Sequence, residues 1–177
     1  MTMKAVKDIF KCDMSSDEII KRIDDFLLYG DINIELSNGS LLHKATYIKH
    51  AETRNKVIEY LLDKDIDINM LNKNGRTALF RIVYLGNNKI INKALDKGVD
   101  VNVVDNDETT VIDRIAMSSA INLNTTKRIL DMVDDKLVSE KNFRFIIRQM
   151  KNRYGIKKVK ETLDNVSLLR FWLTVSI

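Results

Sequence analysis

The chain has 177 residues, 45% hydrophobic and 31% charged, with one cysteine, no proline and a net charge of +4. That length and balance predict a single globular domain with a substantial core and exclude a disordered chain. No apolar run approaches the ~20 residues that a bilayer-crossing helix needs, and a lone Cys12 excludes an internal disulfide or a cysteine-based metal cluster.

The first residues, MTMKAVKDIFKCDM, hold neither an apolar core region nor a cleavage site. No secretory signal is expected, and the chain reads as intracellular, in the cytoplasm. A short helix is predicted around Val6 to Phe10. Ser15, Ser16 and Asp17 then offer a helix cap, and Ile19, Ile20, Ile23, Phe26 and Leu27 recur at helical spacing up to Tyr29. Gly30 ends that helix, and residues 31–36 form a first extended finger.

A second unit occupies residues 37–70, with a long connection over residues 46–55. The clearest unit is residues 72–105. Asn74-Gly75 is a turn pair, and Thr77 stands at the N-cap of a helix starting at Ala78, its hydroxyl able to accept an orphan backbone N–H. Leu79, Ile82 and Val83 follow at helical spacing until Gly86-Asn87 breaks the run. A second helix begins near Asn88 with Ile90, Ile91, Ala94 and Leu95 on one face, and Gly98 is its left-handed stop. The fourth unit, residues 105–137, has a weak first helix at residues 111–117 and a second helix carrying Ile129, Leu130 and Val133. Asp134-Asp135 stand in place of its glycine turn, which predicts a distorted or absent hairpin.

From Ser139 the pattern changes. A helix with Phe143, Ile146, Ile147 and Met150 on one face ends at Gly155, and another starts at Ile156 with Val159 and Leu163 inward. The last stretch, residues 168–177 with Phe171 and Trp172, is very apolar and is expected to fold back on this cap or, alternatively, to serve as a partner-binding segment. From Ser139 onward nine Lys/Arg stand against three Asp/Glu, a surplus of +6, which leaves −2 on the preceding 138 residues of a chain whose net charge is +4. The basic part is the part without repeats.

The repetition is quantitative. Asp105, Thr110, Ile112 and Ile115 fall on Asn72, Thr77, Leu79 and Ile82 at an offset of 33, and Asp67-Ile68-Asn69 precedes Asp100-Val101-Asn102 at the same offset. Ser40, Leu42 and Ala45 precede Thr77, Leu79 and Ile82 by 37, so four extra residues lie between Ala45 and Val57. Asp31-Ile32-Asn33 is a third copy of the extended tripeptide. With NGRTALFRIV at residues 74–83, NKALDKGVDVN at 92–102, SLLHKA at 40–45 and VIEYLLDKDIDIN at 57–69, the chain resembles the ankyrin-repeat family. His43 stands where that family usually has its His, whereas Phe80 and Asp113 replace it. Leu41, Ala78 and Val111 occupy the sites of the family's Pro.

The resemblance implies an all-α solenoid of about four helix-turn-helix units. Residues 1–36 would be a capping repeat, residues 37–137 three ankyrin repeats, and residues 138–177 a divergent, basic helical cap, all in one domain of residues 1–177. It also implies non-catalytic protein binding through the concave face. Finger-tip contacts would be Leu36, Ser37, Lys73, Asn74, Arg76, Asn106, Asp107 and Thr109. Outward helix positions would be Tyr47, Ile48, Tyr84, Leu85, Met117 and Ser118. Of these, Tyr47, Ile48, Tyr84, Leu85 and Met117 form an apolar stripe which, beside Lys73 and Arg76, has the composition of a binding hot spot. The partner expected is a protein. Short viral and bacterial ankyrin proteins suggest an inhibitor, immunity or host-modulating role, in the host cytoplasm. The Leu-Pro pair of the F-box-like segment in many poxvirus ankyrin proteins has no counterpart here, so a ligase-adaptor role is not expected.

An alternative surface is basic: Arg144, Arg148 and Lys151 share one helix face and could meet nucleic acid or an acidic partner. Nucleic acid is disfavoured, because the pI of about 9.1 is moderate and no nucleic-acid module accompanies the charges. No catalytic residue, metal or cofactor is expected. His43 has only His50 for company, and Asp63, Asp65 and Asp67 lack the Gly and closing Glu of a calcium loop.

Overall fold

The structure, a computed structural model, describes residues 9–10 and 14–164. The helix expected around Val6 is therefore described only at Ile9 and Phe10, while Cys12, Phe171 and Trp172 lie outside the described residues. Among the described residues the regular structure is helical, apart from one isolated bridge between Leu36 and Gly39. The helices are α1 (Ser16–Leu27), α2 (Leu41–Ala45), α3 (Ala51–Leu62), α4 (Leu79–Leu85), α5 (Asn88–Asp96), α6 (Val111–Met117), α7 (Leu123–Leu130), α8 (Glu140–Tyr154) and α9 (Ile156–Leu163). A 3-10 turn, Asp135–Leu137, precedes α8.

The residues group into two compact units, Met1–Ala78 with Lys93–Val99, and Leu79–Asn92 with Asp100–Ile177. In the first unit, α1 starts where the Ser15 hydroxyl accepts the Glu18 N–H at 3.3 Å, and Asp17 and Glu18 place negative charge at the positive end of the helix. Ile19, Ile23 and Phe26 then line one buried face, which packs on α3. Helix α3 buries Val57, Ile58, Leu61 and Leu62 in return, and it also packs on α2. Each such fully buried aliphatic side chain contributes about 1.5–3 kcal/mol. Half of the expected long connection over residues 46–55 is helix. Helix α3 begins at Ala51 and has 12 residues against 9 in α5, so much of the extra chain adds about a turn to the outer helix. Arg54 Nη1 donates to the Ile48 carbonyl at 3.0 Å and fixes the short remainder.

In the second unit, α4 packs on α6 and α6 on α8, a row of inner helices, while α9 packs on α7 and on α8. The α8–α9 pair therefore stacks as another helix-turn-helix unit would, although its sequence lacks the repeat pattern. Its boundaries follow local chemistry: the Ser139 hydroxyl accepts the Asn142 N–H at 3.2 Å, and Gly155, at φ 79°, separates the two helices. Phe143, Ile146 and Met150 are buried, and Gln149 Nε2 donates to the Ala116 carbonyl at 3.3 Å, again 33 residues apart.

The fingers rest on repeated aspartates. Asp31, Asp67 and Asp100 each accept, at 2.8, 2.9 and 2.8 Å, the N–H of the Asn two residues on. Asp134 does the same with the Lys136 N–H at 3.0 Å, and its own N–H donates to Asn102 Oδ1 at 2.7 Å. Asp134 thus continues the series of turn aspartates and opens the 3-10 turn. The Asp134-Asp135 pair, expected to leave a distorted or absent hairpin, is followed by this 3-10 turn.

Candidate protein-binding surfaces

Ser40, Thr77 and Thr110 stand at the entries of the inner helices α2, α4 and α6, and the residue three places on decides what each of them bonds. In α2 this residue is His43. Its Nδ1 lies 3.1 Å from the Ser40 N, and its Nε2 lies 2.9 Å from the Arg76 carbonyl oxygen. Gly39, at φ 93°, makes room for it, since a Cβ there would come within 2.7 Å of the imidazole. Burial pushes the His43 pKa below its ordinary value, opposed by the bond to the Arg76 carbonyl.

In α6 the corresponding residue is Asp113. Its carboxylate accepts the Thr110 N–H at 2.7 Å, the Thr110 hydroxyl at 2.8 Å and Asn142 Nδ2 at 2.5 Å. In α4 it is Phe80, which can bond nothing, and the Thr77 hydroxyl is buried without a hydrogen-bond partner. The expectation that this hydroxyl caps α4 is corrected by that finding; α4 begins at Leu79. The Phe80 ring instead lies 6.0 Å from the Arg114 guanidinium, which also donates to Thr109 Oγ1 at 3.1 Å and lies 3.7 Å from buried Asp105.

These anchors lie at the N-terminal ends of the inner helices, near Lys73 and Arg76, whereas Tyr47, Tyr84 and Met117 stand at the opposite, C-terminal ends. In the first unit Tyr47 is exposed at the end of α2 and Ile48 is half-buried. Lys73 is exposed at the tip of the finger that Asn72 organises, its Oδ1 accepting the N–H groups of Asn74 and Arg76 at 2.9 and 3.2 Å. Arg76 is half-buried, and its carbonyl receives His43. Leu36, expected as a finger-tip contact, is buried, because the narrow Leu36–Gly39 bridge turns it inward.

In the second unit Tyr84 is 51% and Met117 64% exposed at equivalent ends of the packed helices α4 and α6, with Leu85 half-buried beside Tyr84. Ser118, expected to point outward, is buried. Arg144, Arg148 and Lys151 are exposed on α8. A groove of about 690 Å³ between α6 and α8 is lined by Asp113, Met117, Lys141, Arg144, Phe145 and Arg148 among others. It brings together Met117, expected in the apolar stripe, and two arginines expected in a separate basic surface. Lys151, one turn further along α8, does not line it. Phe145, 48% exposed, and Lys141 were not expected at the site. The signal for Phe145 is an aromatic residue between Arg144 and the buried Ile146, off the Phe143, Ile146 and Met150 face.

No helix is long and apolar enough to cross a membrane, and no cluster of three or more His, Cys, Asp or Glu fit to hold a metal ion occurs among the described residues. A family model described as ankyrin repeats, in three copies, matches residues 13–135. The chain belongs to the ankyrin-repeat family. Comparison with curated proteins finds no match. Ankyrin repeats are in general protein–protein interaction modules and carry no reaction chemistry of their own, so the partner of this ankyrin-repeat protein is of the protein kind.

Proposed function

We propose that this ankyrin-repeat protein binds a partner protein and occludes its working surface, acting without catalysis as an intracellular inhibitor or host-modulating protein. The observation that carries the reading is the pair Tyr84 and Met117, large apolar side chains left half or more exposed at equivalent ends of two packed inner helices. Exposed aromatic and Met side chains on a rigid support make favourable contacts at little ordering cost, which suits a surface that covers a partner. Tyr47, Ile48, Lys73 and Arg76 on the first unit, and Tyr84, Leu85 and Met117 on the second, are the residues assigned to binding.

Affinity capture from the native cellular context tests this, comparing wild type with Tyr47→Ala/Tyr84→Ala and with Arg144→Glu/Arg148→Glu. A protein retained by wild type and lost with the tyrosine pair supports the reading. A capture profile indifferent to the tyrosine pair overturns the assignment of these residues.

A further inference from the structure

The groove between α6 and α8 has an uneven lining that specifies more than a protein partner in general. Its α6 wall offers Ala116 and Met117, and its α8 wall offers Phe145 with Lys141, Arg144 and Arg148. The one acidic lining residue, Asp113, already accepts three hydrogen bonds from Thr110 and Asn142. Arg144 pairs with Glu140 at 2.6 Å across an exposed surface, where an ion pair contributes little and an incoming carboxylate can compete with it. Lys141 and Arg148 make no ion pair among the described residues.

We propose that this groove takes an acidic, amphipathic segment of a partner protein. An apolar side chain of that segment would seat between Met117 and Phe145, and its carboxylates would meet Lys141, Arg144 and Arg148. The inference rests on the protein-binding reading above and names the chemistry of the partner. Charge complementarity argues for it: the chain's cationic surplus is concentrated beyond Ser139, and three of those cations edge the groove. Arg144 and Arg148 lie one helical turn apart, about 6 Å along the axis, and carboxylates four residues apart on a helical ligand repeat at the same interval. The volume suits a few side chains rather than a whole domain. A nucleic acid strand carries a phosphate at every step and would meet the same cations, so an oligo-dT strand is included as a competing probe.

The test uses the full chain and three fluorescent probes followed by anisotropy. The first is a short amphipathic peptide with a Leu stripe flanked by Glu, the second the same peptide with Lys for Glu, and the third an oligo-dT strand. The Glu peptide is expected to bind saturably, and the Lys peptide is not. Arg144→Glu/Arg148→Glu and, separately, Met117→Ser/Phe145→Ser are each expected to weaken the Glu peptide by about tenfold or more, with thermal midpoints close to wild type because the four side chains are surface-exposed.

Absence of binding, or an affinity equal to wild type in both double variants, overturns the proposal. So does oligo-dT binding that exceeds the peptide's and is lost with the arginine pair. Binding that emerges only in Phe171→Asp/Trp172→Asp would assign the groove to the chain's own last residues and also overturn it. Failure here, with capture still dependent on Tyr47 and Tyr84, leaves the general binding reading intact. Peptide binding as expected, with capture indifferent to those tyrosines, removes the tyrosine surface instead.

Discussion

His43 Nε2 lies 2.9 Å from the carbonyl oxygen of Arg76, 33 residues further along the chain. A carbonyl only accepts, so Nε2 carries the proton, and Nδ1 presents its lone pair to the Ser40 N–H at 3.1 Å. The imidazole is therefore neutral and joins its own helix cap to the next finger. Protonation would put a second N–H against the Ser40 N–H, inside a buried site.

A pH dependence follows from the sign of that shift. Burial holds the folded-state pKa of His43 below its ordinary value, so the unfolded chain binds more protons once pH falls below about 6.5. The stabilisation is complete above that pH and is lost as pH descends toward the folded pKa. Urea unfolding of wild type should show a falling midpoint from about pH 7.5 to about pH 5.5. His43→Gln should be less stable by about 1–3 kcal/mol at neutral pH and should show a shallower decline over that interval. Equal slopes in the two proteins would remove His43 as the titrating group.

The caps of α4 and α6 should respond oppositely to the same substitution. The Thr77 hydroxyl is buried with no partner, so Thr77→Val removes a desolvated polar atom and should stabilise by about 1 kcal/mol. Thr110→Val deletes the hydroxyl that donates to Asp113 at 2.8 Å and should destabilise by about 1–2 kcal/mol. Thermal melts of the two variants, moving in opposite directions, check the pair.

Glu108 has a φ of 58° at the position that Gly75, at φ 73°, holds in the preceding finger. A side chain in the left-handed region costs about 1–2 kcal/mol, and Gly returns part of that as extra freedom in the unfolded chain. Glu108→Gly should stabilise by about 0.5–1 kcal/mol, whereas Gly75→Glu should destabilise by a similar or larger amount. Denaturant midpoints of the two variants give the comparison.

Arg114 lies 3.7 Å from the buried carboxylate of Asp105, and its guanidinium also stands over the Phe80 ring. Arg114→Leu should cost about 3 kcal/mol, less than a bare buried charge because Asp105 still accepts from Thr109 N and Oγ1 at 2.8 and 2.7 Å. Adding Asp105→Asn to Arg114→Leu should recover part of the loss, as a double-mutant cycle in urea would show.

Much of the fold was legible because periodicity and caps act locally. Ser15 and Ser139, Gly30 and Gly155, and the spacing of Phe143, Ile146 and Met150 depend on neighbours within one or two turns, and sequence alone conveys them. What escaped was decided at a distance. Phe80 silences the Thr77 cap through its position three residues on, and its compensation by Arg114 comes from the next inner helix. Leu36 is buried because its turn is one residue tighter than the Asn72 to Arg76 turn. At the candidate site, Tyr84 and Met117 were legible as outward ends of repeats. The groove joining Met117 to Arg144 and Arg148 was not, since α8 stacks on α6 without any repeat motif to announce it.

The position occupied by His43, Phe80 and Asp113 also makes the repeats non-interchangeable. Each residue there is matched to a different correspondent on the following level: the Arg76 carbonyl, the Arg114 guanidinium and the Asn142 amide. A duplicated, deleted or shuffled repeat would set the Phe80 ring or the Asp113 carboxylate before the wrong side chain, whereas the His43 imidazole meets a main-chain carbonyl that any residue supplies. The order of these later repeats is thereby written into the side chains, and diverging relatives should change Phe80 with Arg114, and Asp113 with Asn142, in pairs rather than singly.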